Sequence, residues 1–236
     1  MLFDWRMKNN YGDKMSEFEL SGPNAALEER ITKKYFMCVE KCDQYSARTK
    51  IEEKKVMGKE EGELSFKTTY TPYYIAKANY RIVYLRRNRY GMAVPPDVDS
   101  VKILDKVFLN NEIINNEIKV EAIEKIIVER AESMELSHKG TKIKIKDIPP
   151  HNEVPASFYE EHKAEIERPK FDVGDIIQQL RDRLVSRPHD VSRSIEETFN
   201  VEIHIILRTY YWGIFKADGK EKQMRVDSVT GKTEWF

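Results

Sequence analysis

Apolar positions along the chain alternate between two spacings. After Ser21-Gly22-Pro23-Asn24, the residues Leu27, Ile31, Tyr35, Cys38 and Cys42 recur every three or four positions. That spacing predicts a helix from about residue 24 to Asp43. Val120, Ile123, Ile127, Ala131 and Met134 repeat it after Asn115-Asn116, which predicts a second helix over 118–135. Ile176, Ile177, Leu180 and Leu184 form an apolar face behind a capping start at Asp172 and Asp175, and Pro188 stops that helix. Short helices are expected near 156–167 and from Asp190 to Phe199. Elsewhere the spacing falls to two. Leu64 to Leu85 predicts strand, and its length predicts a bend at Pro72 or Asn79. Thr141 to Lys146 alternates, and so do Val201, Ile203, Ile205 and Leu207. Asp218-Gly219 and Thr230-Gly231 are turn signals. Val101 to Leu109 fits either strand or helix, and 48–62 is a charged, solvated segment.

Together these elements predict an α+β protein. An N-terminal segment, 1–23, precedes a first α+β unit over 24–147 that carries the additional helix 118–135. A Pro-rich linker, 148–155, leads to a second α+β unit over 156–236. ELSFKTTYTPYYIAKA (63–78) and EIHIILRTYYWGIFKA (202–217) align without gaps. Glu63/Glu202, Ile75/Ile214, Lys77/Lys216 and Ala78/Ala217 match. The two units are thus expected to be helix-plus-antiparallel-sheet repeats, or else two strands of similar composition. In MRVDSVTGKTEWF, Val226, Asp227, Thr230, Gly231 and Lys232 resemble the terminal hairpin of PepSY-type domains over roughly the last 35 residues. The resemblance implies a non-catalytic α+β binding or inhibitory unit.

Length changes the picture little: 236 residues suffice for one large domain or two small ones. Charge matters more. Lys plus Arg equals Asp plus Glu at 40 each, so only a local imbalance can indicate a partner. Cys38 and Cys42 stand alone, without the further ligands a metal site needs, and are expected as buried free thiols of a reducing compartment. MLFDWRMKNNYGDK contains an acid and no apolar h-region, so no signal peptide is expected. No apolar run approaches the ~18 residues of a membrane span. A cytoplasmic protein without a membrane partner follows.

The local imbalance lies between Glu63 and Asp97, where no acid occurs and tyrosines crowd among basic residues. At strand period, Tyr74, Ala76, Ala78, Tyr80, Ile82 and Tyr84 share an apolar face. Tyr73, Ile75, Lys77, Asn79, Arg81, Val83 and Leu85 share the other, with Arg86, Arg87 and Arg89 beyond. Lys77, Arg81, Arg86, Arg87 and Arg89 are the candidate phosphate contacts, and Tyr73 and Tyr90 the candidate stacking residues, of a nucleic-acid surface. The alternatives are a protein-interaction or assembly surface, including a homo-oligomer, and a half-buried strand pair with a solvated tip. Arg208, Tyr210, Tyr211 and Trp212 place aromatic beside basic a second time.

A catalytic centre is harder to find. There is no Gly-rich phosphate loop, no G-x-S-x-G and no H-E-x-x-H, and His138, His151, His162, His189 and His204 are scattered. Pro96-Asp97 followed by Glu117-Ile118-Lys119 resembles the loose P-D…E-x-K pattern of a metal-dependent nuclease family. The resemblance implies Mg²⁺ on Asp97 and Glu117, with Lys119 beside the attacking water. The leading expectation is a non-enzymatic binding protein with no cofactor and no catalytic residue. Its partner is nucleic acid, or alternatively protein, and the metal nuclease ranks third.

Overall fold

The computed structural model describes residues 18–58, 63–103, 105–217 and 220–236. Strand accounts for 54% of it and helix for 17%, so the two-unit helix-plus-sheet α+β architecture, with its internal repeat, is replaced by a mainly β fold. The strands are β1 (Glu28–Cys38), β2 (Glu63–Ala93), β3 (Ser100–Ile103), β4 (Lys106–Leu109), β5 (Glu117–Ser137), β6 (His151–Val154), β7 (Arg193–Ala217), β8 (Lys220–Asp227) and β9 (Thr233–Trp235). The helices are α1 (Gln44–Gly58), α2 (Ala156–Glu161) and α3 (Val173–Leu184). Seven strands form one sheet in the order β5-β2-β7-β1-β6, with β8 on β7 and β9 on β8, while β3 and β4 form a separate hairpin. The contacts Thr32–Val201, Lys34–Glu202 and Phe36–His204 advance in the same direction along β1 and β7, so that pair is parallel. The β1–β6, β7–β8 and β8–β9 pairs are antiparallel, which makes the sheet mixed.

The segments read as helices 24–43 and 118–135 are β1 and β5. A spacing of four serves both periods, because residues i and i+4 share a face in a strand as well as in a helix. In β5, apolar residues occupy both parities: Ile123 and Ile127 on one face, Ile126 and Val128 on the other. The mixture imitates a helical stripe, yet burial alternates strictly residue by residue from Glu121 to Ser133. Five β-branched residues between Val120 and Val128 suit a pleated surface. Asn115-Asn116, read as a helix start, is a two-residue turn with φ of 54° and 60°. Ile114 and Glu117 exchange backbone hydrogen bonds across it, which is the type I′ geometry asparagine tolerates. The segment 190–199 likewise enters β7, and 141–146 holds one bridge (at Lys142) and part of a 3₁₀ turn instead of a strand.

β2 runs unbroken through Pro72 and Asn79. Tyr70 pairs at its edge with Glu165 and Glu167, and Pro72, with no N–H to give, follows directly on that short bridge. The register read from sequence holds: Tyr74, Ala76, Ala78, Tyr80, Ile82 and Tyr84 are all buried. α3 starts where the sequence places it, with Asp172 accepting from Gly174 N at 2.7 Å. The charged 48–58 stretch belongs to α1, which buries Ala47 and Ile51. The Asp218-Gly219 turn and the N-terminal residues 1–17 lie outside the described residues, as do 59–62. Both cysteines are buried and free. Among the described residues no helix is long and apolar enough to cross a membrane.

The chain divides into two compact units, each assembled from three stretches. One holds the described residues up to Glu28 with Tyr80–Arg130 and Ser186–Thr198, and the other holds Glu29–Asn79, Ala131–Val185 and Phe199–Phe236. In the first, Val94, Phe108 and Ile118 form the core around the β3–β4 hairpin. In the second, α1 packs Cys42, Ala47 and Ile51 on Phe215, Met224 and Val226. The opposite face of that sheet is covered in part by Ile148, against Cys38, Ile75, Ile206 and Val229. The 148–155 segment carries β6, which pairs with Tyr35–Cys38 of β1.

Candidate binding site

Three arginines of the acid-free ribbon, Arg81, Arg86 and Arg89, are met by carboxylates of neighbouring strands and, in Asp190, of a turn. Arg81 bonds Glu129 at 3.1 Å and also pairs with Glu196. Arg86 bonds Glu124 at 2.5 Å and pairs with Asp190, and Arg89 bonds Glu121 at 2.8 Å. The hydrogen bond to Asp190, with that to Glu124, raises the Arg86 guanidinium above its ordinary value. Asn88 and Arg86 hold Glu124 down, and Arg86 holds Asp190 down. Beneath them Tyr80 donates to Glu197 at 2.8 Å, and Arg187 bonds the same carboxylate. Local charge along the sequence is therefore cancelled across the sheet. Of the other predicted contacts, Arg87 and Tyr90 are exposed in this unit, while Lys77 and Tyr73 belong to the other. Along unbroken β2, Arg86 and Tyr90 stand at the opposite parity from Tyr73, Lys77, Arg81, Arg87 and Arg89, so the seven do not share one face of the strand.

Tyr73 instead joins a cleft of about 650 Å³. On the face opposite α1, strand period aligns Thr69, Thr71 and Tyr73 of β2 with Arg208, Tyr210 and Trp212 of β7. Arg225 and Asp227 of β8 stand opposite Trp212 and Tyr210. Trp212 Nε1 donates to Thr69 Oγ1 at 2.8 Å, and Arg208 Nη1 to the Tyr73 hydroxyl at 3.2 Å. Asp227 anchors the arrangement. It accepts from Arg208 Nε at 3.0 Å, Val229 N at 3.1 Å and Thr230 Oγ1 at 2.5 Å, just before Gly231 turns the β8–β9 hairpin at φ 69°. Burial works against both charges, but the mutual bond leaves Arg208 raised and Asp227 lowered from their ordinary values. Burial pushes the Tyr210 hydroxyl up to about 12, so it stays protonated. The Arg225 guanidinium lies 4.4 Å from the Tyr210 ring centre, 4.9 Å from Phe236 and 5.4 Å from Trp212.

The walls come from two loops. Ser137–Thr141 and Glu167–Arg168 are stitched together by Lys170 N donating to His138 O at 2.8 Å. Each carboxylate here has a partner. Glu167 accepts from Thr71 Oγ1 at 2.8 Å and lies 3.6 Å from His138 Nε2, and Glu234 takes Arg225 at 2.6 Å. Lys139 and Arg168 are exposed, and among the described residues neither has an ion-pair partner. The cleft thus offers the half-buried Tyr73, Tyr210 with the Arg225 guanidinium over its ring, their hydroxyls and two unpaired cations. Arg208 and Tyr210 were visible in sequence as basic beside aromatic. His138, Lys139, Arg168 and Arg225 come from separate loops and a short strand, and only the shared strand parity of Arg208, Tyr210 and Trp212 could have led to them.

Of the nuclease-like residues, Glu117 and Lys119 line one cavity of about 300 Å³, and Asp97 is not among its lining residues. Glu117 lies on a strand, but its carboxylate occupies the place a side chain at Gly91 would take, 1.7 Å from an ideal Cβ there. Asp97 sits in a turn. Among the described residues no three Asp, Glu, His or Cys side chains gather as a metal-binding group. No protein-family model, curated protein or solved structure matches the chain.

Proposed function

We propose that the protein is a non-enzymatic binding protein whose ligand site is the Tyr73–Tyr210 cleft, and that the ligand is single-stranded nucleic acid. The observation that carries this reading is that exposed Lys139 and Arg168 line one cleft with half-buried Tyr73 and with Tyr210 beneath the Arg225 guanidinium. Lys139 and Arg168 supply phosphate contacts, and the rings supply sequence-tolerant stacking. Asp227 and Glu234 are neutralised by Arg208 and Arg225, so Glu167 is the one cleft carboxylate without an arginine or lysine partner among the described residues.

Fluorescence anisotropy of labelled single-stranded and duplex oligonucleotides, without added metal, tests it. The single strand should bind at low salt and weaken as salt rises. Lys139→Ala/Arg168→Ala should reduce the slope of log K against log salt by about 1.4, two phosphates at ~0.7 each. No binding of either oligonucleotide at low salt would overturn the proposal. A second reading, protein interaction, is favoured by a different observation: Ile123 and Ile127 are exposed on the outermost long strand.

A further inference from the structure

β5 ends the strand order of the sheet, and no described strand pairs with its outer edge. Among the described residues, the backbone bonds that turns or loops make to it lie at its two ends, Glu117 and 135–137. An edge of this length normally carries protection: proline, a bulge, a covering loop, brevity or charged side chains. Over its middle β5 has only the last of these. Its 21 residues contain neither Pro nor Gly, and Ile123 and Ile127 stand 39% and 56% exposed on one face. From the charge pattern of this edge we infer that β5 pairs antiparallel with β5 of a second copy of the chain, about a two-fold axis at Ile127.

The charge order selects both partner and register. With the axis at Ile127, Ile127 faces Ile127, Lys125 faces Glu129, Ile126 faces Val128 and Glu124 faces Arg130. From Ile123 to Ala131 each pair across the seam is apolar with apolar or opposite in charge, which is the stabilising arrangement for directly opposed residues. Neighbouring registers fail. An axis at Lys125 sets Lys125 on Lys125 and Glu121 on Glu129. An axis at Glu129 sets two glutamates together. An axis at Ile123 puts Lys119 opposite Ile127 and Glu117 opposite Glu129. An axis at Ile126 leaves Lys125 on Ile127 and Glu124 on Val128. A two-fold interface must be self-complementary, and the Ile127 register meets that condition over the central nine residues, Ile123 to Ala131. The self-pairing does not depend on the ligand reading.

The test combines solution mass with a cross-link that reports the axis. Light scattering behind size exclusion should give a dimer at micromolar protein. Ile127→Lys, at an exposed position, should give a monomer with unchanged far-UV circular dichroism. Opposed residues of an antiparallel pair lie within disulfide reach, so Ile127→Cys should oxidise to a covalent dimer. Ile123→Cys should not, because it would face Ala131. The native thiols are buried and do not compete. A monomeric wild type at high micromolar concentration, or faster cross-linking through position 123 than through 127, would overturn the inference.

Discussion

Single side chains decide several features of this protein, and Gly213 is the sharpest case. An ideal Cβ there would lie 2.3 Å from Ile51 Cγ2, so α1 can approach β7 only because the residue is glycine. Gly213→Ala should destabilise the fold by about 1–3 kcal/mol through overpacking. In an Ile51→Ala background the same change should cost much less, and urea denaturation of the four variants measures this coupling. Glu202 shows a second kind of dependence. The hydrogen bond from Lys34, at 2.9 Å, and then that from His204 lower its carboxyl from 4.5 to about 2. The folded value lies below the unfolded one, so this stabilisation is complete above about pH 5 and is lost as pH falls towards 2. Glu202→Gln should flatten the acid limb of stability against pH over that window. An unchanged limb would show that the Lys34–Glu202–His204 cluster contributes nothing to stability.

Among the elements, α3 is the one the sequence specifies most completely: a carboxylate cap, a stripe at helical spacing and a proline stop. Asp172→Ala should cost about 1 kcal/mol, measured by thermal unfolding, because Gly174 N would lose its only side-chain partner. β2 was equally legible, since its two faces differ in chemistry and its register follows from period two. β1 and β5 were not. Their apolar residues sit four apart or on both parities, so sequence spacing cannot separate helix from strand, and the choice falls to neighbours distant along the chain. The Asn115-Asn116 turn was legible in principle, because paired asparagines accept positive φ. The ion pairing of the ribbon was hidden for a related reason. Its acid-free run is real along the chain, but Glu121, Glu124, Glu129, Asp190 and Glu196 return across strands to meet Arg81, Arg86 and Arg89. A linear charge count cannot register that return.

At the scale of the molecule, equal numbers of acids and bases turn out to mean cross-strand pairing in one place and residual charge in another. Three of the four ribbon arginines, Arg81, Arg86 and Arg89, are held by carboxylates, whereas Lys139 and Arg168 line the Tyr73–Tyr210 cleft without an ion-pair partner among the described residues. The central claim is that binding resides in the cleft and not in the ribbon. Its most direct test is one anisotropy titration of a labelled single strand at low salt against three proteins: wild type, Lys139→Ala/Arg168→Ala and Arg86→Ala/Arg87→Ala/Arg89→Ala. The account predicts that the cleft variant loses most of the affinity while the ribbon variant, if it remains folded by circular dichroism, keeps it. Loss confined to the ribbon variant would contradict it, and so would equal affinity in all three.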